Sequence, residues 1–113
     1  MPYLTIDTNA DVKITENMLE EASGLVASTL NKPENYVIVK INAGKAMACG
    51  GHAHRLGALI EMKSVGYGDK KAELAKKLTD FAVKYFKAEG PLVGIHFVDM
   101  PPANVAHNGR LMG

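Results

Sequence analysis

The sequence is poor in cysteine, in excess charge of either sign and in long apolar runs. Its single cysteine, Cys49, excludes an intramolecular disulfide and suits a reducing compartment. Lysine and arginine total 13 against 12 aspartate and glutamate residues, which excludes a broad basic surface for nucleic acid or anionic membranes. No apolar run is long enough to span a bilayer, and no charged-then-apolar leader opens the chain. We therefore expect a cytoplasmic protein, with export without a signal peptide left open, whose partners are small metabolites or proteins.

What the sequence does contain fits a single domain over residues 1–113. This length is usual for a domain, and a hydrophobic share of 47% is enough for a core. Hydrophobic positions recur between the two halves, so that Leu4 corresponds to Ile60. The two repeats span about residues 1–43 and 57–99, and each reads as strand, helix, strand.

The first repeat predicts a strand over Tyr3–Asp7, where apolar and polar residues alternate. Thr15 is a suitable helix N-cap, and the helical spacing of apolar residues behind it continues to Leu30. Asn31–Pro33 ends this helix, because the position before proline disfavours helical backbone. The second strand of the repeat is predicted over Tyr36–Ile41.

The second repeat predicts strands over Leu59–Val65 and Leu92–Val98. A glycine-containing turn, Gly66–Asp69, leads from the first of these strands into a helix. The residues predicted to point inward from that helix are Leu74, Ala75, Leu78, Phe81, Ala82 and Tyr85.

Two right-handed βαβ units place both helices on the same face of a shared sheet. The predicted fold class is therefore α/β, with a four-stranded sheet and two helices on one face. The other face stays uncovered and is too apolar to be left in water. Its predicted residues are Tyr3, Thr5, Tyr36, Ile38, Leu59, Gly94 and Val98. We expect several copies to pack about a symmetry axis and cover it, so that a pocket can be shared between subunits.

Pro2 follows the initiator methionine, and removal of Met1 would make its nitrogen a free secondary amine. Proline inside a chain has no N–H and no basic nitrogen, whereas an α-amino group titrates at about 7.7 to 8.0. Burial in an apolar pocket lowers that pKa, because burial disfavours the charged form. A neutral amine is a competent general base near physiological pH. Pro2 is thus a candidate base, the alternative being a small second residue that merely favours methionine removal.

Several short motifs are spread from one end of the chain to the other. They are Met1-Pro2, Lys32-Pro33 followed by Tyr36, Met47-Ala48-Cys49-Gly50-Gly51, Ser64-Val65-Gly66, and Asp99-Met100 followed by Asn104-Val105. In their order and spacing they resemble the macrophage migration inhibitory factor and D-dopachrome tautomerase family. The resemblance implies a trimer of two-βαβ subunits that catalyses keto–enol tautomerisation with an N-terminal proline.

By this resemblance, Pro2 would take a proton from the carbon beside a keto group, and no cofactor would be needed. Lys32 would bind the substrate carboxylate and lower the pKa of the amine by like-charge repulsion. Ser64 and Val65 would line the pocket with backbone groups, and the N–H of Val65 suits a carboxylate or enolate oxygen. The implied substrates are small α-keto acids such as phenylpyruvate. Without the resemblance, Lys32 is an exposed helix-end lysine, and residues 64–66 are a strand end before a glycine turn.

Three positions depart from the family pattern and thin the aromatic wall of the implied pocket. Gly94 and His96 replace a tyrosine and an asparagine that mammalian members contribute from the neighbouring subunit, and His107 replaces a tryptophan. Aryl substrates should bind less tightly, because ring packing supplies much of such binding. His96 is a candidate for binding the distal end of a substrate, or else an interface histidine. The Cys-x-x-Cys motif of some relatives is absent, with Gly57 and Ile60 there, so thiol oxidoreductase activity is not expected.

His52 and His54 have a spacing that could point two imidazoles to one side of an extended segment. No adjacent cysteine or carboxylate completes a ligand set, so we expect a polar loop and no metal. Gly50-Gly51 lacks the strand–loop–helix context of a phosphate cradle.

Two other functions stay open. One is another proline-dependent isomerisation, decarboxylation or dehalogenation, and the other is cytokine-like receptor binding by a protein with a vestigial pocket.

Overall fold

The computed structural model describes residues 1–113 as a four-stranded sheet, two helices and a small C-terminal hairpin. The elements are β1 (Tyr3–Thr8), α1 (Glu16–Leu30), β2 (Ile38–Asn42), β3 (Ala58–Ser64), α2 (Lys71–Phe86), β4 (Val93–Asp99), β5 (Ala106–His107) and β6 (Arg110–Leu111). Neither α-helix is both long and apolar enough to cross a membrane.

The strand order in the sheet is β2-β1-β3-β4. β1 is parallel to β2, and β3 is parallel to β4, while the central β1 and β3 are antiparallel. One helix joins each parallel pair, so each repeat is a βαβ unit, and the two units meet along β1 and β3. The predicted α/β fold of two βαβ units with both helices on one face is confirmed.

Alternation along the central strands decides which side chains face the helices. Leu4 and Ile6 of β1 and Ile60 and Met62 of β3 are buried, whereas the side chains between them are half-buried or exposed. The helix residues in the same core cluster include Val26, Leu74, Leu78, Phe81 and Phe86. Full burial of one such side chain contributes roughly 1.5–3 kcal/mol, so this layer is the main apolar stabilisation of the domain.

The prediction that β2 begins at Tyr36 is wrong, because the strand begins only at Ile38. Tyr36 ends a short 3-10 turn that follows Pro33. The Tyr36 N–H donates to the Pro33 carbonyl at 3.2 Å, and the Val37 N–H donates to the Glu34 carbonyl at 3.0 Å. Those two N–H groups are therefore not available for pairing with β1.

Three smaller predictions about the second repeat also differ from the structure. Val65 lies just beyond the end of β3, and Leu92 ends another 3-10 turn before β4. On α2, Phe86 is buried while Tyr85, predicted to point inward, is only half-buried. Each strand is displaced by one residue at both ends, β3 toward the N-terminus and β4 toward the C-terminus, which leaves their parallel pairing and the core face as predicted.

The second face of the sheet has no helix over it. The residues predicted there lie on it, except Tyr36, and the register aligns Thr5 with Glu61 and His96 in one row. Ile38 is 61% exposed and Leu59 is 59% exposed, which is unusual for large apolar side chains. The face is also more polar than expected, with charged residues at Asp7, Lys40, Glu61 and Lys63.

Candidate active site

The chain begins between two strands, at one end of the sheet. Tyr3 pairs with Ile38 on one side and with Lys63 on the other, which puts Pro2 beside the start of β2 and the end of β3. The Ile38 N–H donates to the Pro2 carbonyl at 3.1 Å. Met1 and Pro2 are both buried. The N-terminus is therefore held in place by backbone pairing and removed from bulk water.

Lys32 reaches the same end of the sheet because of the way α1 ends. Asn31 adopts a left-handed conformation with φ of 53°, and the Lys32 N–H closes the helix on the Ala27 carbonyl at 3.0 Å. The Lys32 Nζ donates to the Ser64 Oγ at 2.7 Å, to the Gly66 carbonyl at 2.9 Å and to the Val65 carbonyl. An ammonium has three N–H donors, so every one of them has a protein acceptor.

The pKa values of the N-terminal amine and of the Lys32 ammonium are both lowered, for partly different reasons. Burial lowers the pKa of the Met1 amine, and repulsion by the Lys32 charge lowers it further. Burial also lowers the pKa of Lys32 itself, while the negative charge of Asp99 opposes that shift. The Lys32 charge therefore acts on the N-terminal amine.

The loop after β3 completes this cluster. The Gly66 N–H donates to the Asp99 Oδ1 at 2.9 Å, and the Met100 N–H donates to the Ser64 carbonyl at 2.8 Å. Gly66 has φ of 78°, a conformation that favours glycine. Beside this loop is an open cavity of about 360 Å³, lined by Val65, Gly66, Asp99, Met100, Pro101 and Pro102. The Val65 N–H takes part in none of the hydrogen bonds that bridge loops and turns.

Tyr67 supports the site in a way that sequence analysis does not predict. Its hydroxyl lies 2.8 Å from the Met62 carbonyl and 2.7 Å from the Val98 carbonyl. Burial raises the pKa of Tyr67 to about 12, and the charge of Asp99 acts in the same direction. This neutral hydroxyl therefore links β3 to β4 below the loop. In the sequence, Tyr67 stands between two glycines and reads only as part of a turn.

His96 and Gly94 do not join this cluster within one chain. His96 pairs with Glu61 in the middle of the uncovered face. It borders a cavity of about 220 Å³ lined by Thr5, Asp7, Leu59, Ile60, Glu61 and His96. A contact between His96 and a substrate held by Pro2 would require a second subunit and stays a prediction.

His107, by contrast, is held at the Pro2 end of the same chain. Its ring meets the edge of the Tyr36 ring, with 4.6 Å between the centroids. Tyr36 comes directly before Val37, and β2 then pairs with β1 from Tyr3 onward. His107, one of the three positions that depart from the family pattern, is thus close to the candidate site. We refer to the packed rings of Tyr36 and His107 as the Tyr36–His107 wall.

The histidines at positions 52 and 54 lie away from this cluster, in an exposed loop. Their ring centroids are 5.4 Å apart. No group of three or more histidine, cysteine, aspartate or glutamate side chains is arranged to hold a metal ion. Cys49 is buried as a free thiol, and a Cβ at Gly57 would come within 2.7 Å of its Sγ. Glycine fits at position 57 because a larger residue there would clash with Cys49.

Comparison with known proteins identifies the family. The family model described as "Macrophage migration inhibitory factor (MIF)" matches residues 1–113. A macrophage migration inhibitory factor homolog of Brugia malayi is 37% identical over 116 residues, and the alignment covers 100% of both chains. The chain belongs to the macrophage migration inhibitory factor family. The family resemblance drawn from the sequence motifs is thereby confirmed.

Two further relatives show how far this family relationship extends. D-dopachrome decarboxylase-B of Xenopus laevis is 25% identical over 115 residues and is covered to 98%, with 99% of this chain aligned. The solved structure of the macrophage migration inhibitory factor from Trichinella spiralis matches with a TM-score of 0.85 at 27% identity. That match covers 96% of this chain and 98% of the other. Both the cytokine-named and the dopachrome-named branches of the family therefore align with the chain from end to end.

Proposed function

We propose that the protein is a cofactor-free keto–enol tautomerase of small α-keto acids, with Pro2 as its general base once Met1 is removed. One observation carries the proposal: the N-terminus is buried near Lys32, and burial together with the Lys32 charge lowers the pKa of the Met1 amine, one residue before Pro2. We expect the same surroundings to act on the Pro2 amine once Met1 is removed. A less basic amine is neutral at lower pH, and only the neutral amine accepts a proton. Membership in a family that includes a protein named D-dopachrome decarboxylase-B supports an enzymatic role.

The reaction moves one proton from carbon to oxygen. The lone pair of the Pro2 nitrogen takes a proton from the carbon beside the keto group. The C–H electron pair becomes the C=C bond of an enolate, and the carbonyl π pair moves onto oxygen. The enolate oxygen then takes up a proton as the Pro2 ammonium gives one up. This regenerates the neutral amine and releases the enol, with no net change in oxidation state.

The surrounding groups suit the two charges of such a substrate. The Lys32 ammonium would bind the carboxylate, and the Val65 N–H would donate to a carboxylate or enolate oxygen. The Tyr36–His107 pair offers one aromatic ring and one imidazole as the wall beside them. Phenylpyruvate is the reference substrate of this class, and the thinned wall favours a modest affinity for its ring.

The proposed enzyme works as a homotrimer. The uncovered sheet face carries His96 and Gly94, and a neighbouring subunit could receive them at its own Pro2 pocket. In that arrangement His96 would bind the distal end of the substrate. A second candidate function is cytokine-like binding to a protein receptor, which the names of the relatives favour. Such binding would not require a free N-terminal amine.

The deciding experiment compares preparations that differ only at the N-terminus. Intact mass first establishes whether Met1 is present, and phenylpyruvate turnover is then measured for the Met1-free and Met1-retaining proteins. Retention of Met1 places the Pro2 nitrogen in an amide, so kcat/KM should fall by about 10² to 10⁴-fold, the usual contribution of a general base. Pro2→Gly in the Met1-free protein should lower kcat/KM strongly while leaving the assembly and circular dichroism unchanged. Equal turnover by the two preparations would rule out Pro2 as the base.

A further inference from the structure

The side chain of Ser64 is fully engaged inside the protein. Its Oγ accepts a hydrogen bond from the Lys32 Nζ at 2.7 Å and donates one to the Gly66 carbonyl at 2.9 Å. Ser64 has a relative exposure of 0%. A hydroxyl that is buried and bonded on both sides does not meet a ligand directly, so it acts through the groups that it holds.

The group that Ser64 holds is the end of a flexible side chain. Lysine has a four-carbon stem, and its ammonium takes a fixed position only where several acceptors converge. Here three acceptors converge, namely the Ser64 hydroxyl and the carbonyls of Val65 and Gly66. All three acceptors come from one short stretch of chain at the end of β3. A substrate carboxylate can therefore accept a hydrogen bond from the Lys32 ammonium only by displacing one of these three acceptors.

The stretch itself is fixed from the other side by Asp99. The Asp99 Oδ1 accepts from the Gly66 N–H at 2.9 Å. That N–H and the Val65 carbonyl belong to the same planar trans peptide unit and point in opposite directions. Holding the N–H toward Asp99 thus directs the Val65 carbonyl toward Lys32. The acceptors are preorganised before the ammonium arrives.

We propose that Ser64 is a positioning residue, whose side chain clamps the Lys32 ammonium beside the N-terminal amine. The catalytic consequence rests on the proposed function, whereas the clamp rests only on the hydrogen bonds. A clamped positive charge disfavours the protonated amine, and a charge released into water disfavours it less. Loss of the clamp therefore raises the pKa of the amine.

Other titratable groups also lie toward this end of the sheet. They include Tyr3 and Lys63, whose pairing places Pro2 beside β3, and Glu61, which forms an ion pair with Lys63. Asp99 at the end of β4, Tyr67 before α2, and Tyr36 and His107 in the wall pair complete the set around the loop. Burial lowers the pKa of Lys32, and the charge of Asp99 opposes part of that shift. Lys32 is the charged group that acts on the amine.

The test measures the pKa of the N-terminal amine directly, so the clamp can be assessed independently of keto acid turnover. Protein labelled with ¹⁵N-proline and freed of Met1 is titrated by NMR as wild type, Lys32→Ala, Ser64→Ala and Ser64→Cys. Cysteine keeps the size of serine but is a weak acceptor, which guards against misfolding of the alanine variant. The matched control is Thr8→Val. Thr8 is also 0% exposed, donates to the Gly57 carbonyl at 2.7 Å and accepts from the Ala10 N–H at 3.2 Å, at the far end of β1.

We expect the amine pKa to rise most in Lys32→Ala and by an intermediate amount, on the order of half a pH unit, in the two Ser64 variants. The acid limb of the kcat/KM profile should move with it, and Thr8→Val should move neither. If Lys32→Ala shifts the amine and both Ser64 variants leave it unmoved, the clamp is overturned. If the amine shifts as expected in a protein that turns over no keto acid, the clamp stands and the proposed tautomerase function fails.

Discussion

At the scale of single residues, Lys32 controls the electrostatics of the candidate active site. Its charge lowers the pKa of the N-terminal amine beyond the effect of burial alone. Burial lowers its own pKa as well, but the ordinary value for lysine, about 10.4, lies far above neutrality, and Asp99 offsets part of the shift. The lowered pKa leaves a larger fraction of the amine in the neutral, proton-accepting form near neutral pH.

Replacing Lys32 with alanine should change substrate binding and the pH profile together. Loss of a charged hydrogen bond of about 1.5–3 kcal/mol should raise KM for a keto acid by roughly 10 to 150-fold. The amine is active when deprotonated, so a higher amine pKa should move the acid limb of kcat/KM to higher pH. Steady-state kinetics from pH 5 to 9 would measure both, with Lys76→Ala as the control because Lys76 is a 78% exposed member of a surface ion pair. An unchanged KM and an unmoved acid limb in Lys32→Ala would place Lys32 outside the substrate pocket.

We predict that His107 influences how well the proposed pocket accepts an aromatic substrate. It packs against Tyr36 at 4.6 Å between ring centroids, in a position where the family pattern has tryptophan. His107→Trp should raise kcat/KM for phenylpyruvate by about 2 to 10-fold, since an aromatic pair adds roughly 0.5–1.5 kcal/mol beyond area burial. An aliphatic keto acid should gain less, and His54→Trp in the exposed loop should gain nothing on either substrate. Equal gains on both substrates would point to a general rigidifying effect, and no gain would mean that position 107 does not face the substrate.

At the scale of elements, the two repeats end their helices in the same way. Asn31 after α1 has φ of 53° and Lys87 after α2 has φ of 55°, so both helices close on a left-handed residue. The residues that follow differ in kind. Lys32 directs an ammonium to the loop after β3, whereas Ala88 is a buried apolar residue of the core. One repeat thus supplies the Lys32 ammonium, and the other supplies the loop that holds it.

The left-handed position after α2 is strained by its side chain, which predicts a stabilising substitution. A non-glycine residue in this conformation costs roughly 1–2 kcal/mol of stability. Replacing it with glycine removes that strain, but part of the gain is lost because glycine has more backbone entropy in the unfolded chain. Lys87→Gly should therefore raise the free energy of unfolding by about 0.5–1 kcal/mol, measured by urea denaturation. Lys87→Ala, which keeps the Cβ and its strain, is the control. A glycine variant no more stable than the alanine variant would contradict this account.

Local patterns predicted the elements better than they predicted the site. The alternating and helical spacings of apolar residues predict both strand–helix–strand repeats, because each strand and each helix buries one face. The sequence pattern predicts the start of β2 two residues too early, because the turn after Pro33 overrides the strand preference of Tyr36. The meeting of Pro2 with Ser64 depends on antiparallel pairing between β1 and β3, two strands far apart in sequence. No local pattern encodes that contact, and only the family resemblance suggested it.

At the scale of the whole molecule, exposed apolar side chains are unevenly distributed. Five large hydrophobic residues are exposed, and four of them, Ile38, Leu59, Leu111 and Met112, lie on the uncovered sheet face or in the C-terminal segment. Only Val83 lies on a helix. The chain is elongated, with extents of 44 × 26 × 22 Å. The sheet side, and not the helix side, is the surface expected to meet other subunits.

A matched pair of substitutions tests which side of the molecule forms the assembly. Leu59 is 59% exposed on the sheet face and aligns with Asp7, while Val83 is 43% exposed on α2. Leu59→Asp would add a carboxylate beside Asp7 and bury both in any sheet-to-sheet contact, where unpaired charges are costly. Sedimentation and light scattering at micromolar concentration should show a trimer for wild type and for Val83→Asp, and a folded monomer for Leu59→Asp. Keto acid turnover should fall only in Leu59→Asp, because a pocket completed by His96 of a neighbour would be lost. A Leu59→Asp protein that stays trimeric and active would show that subunits do not meet through this face.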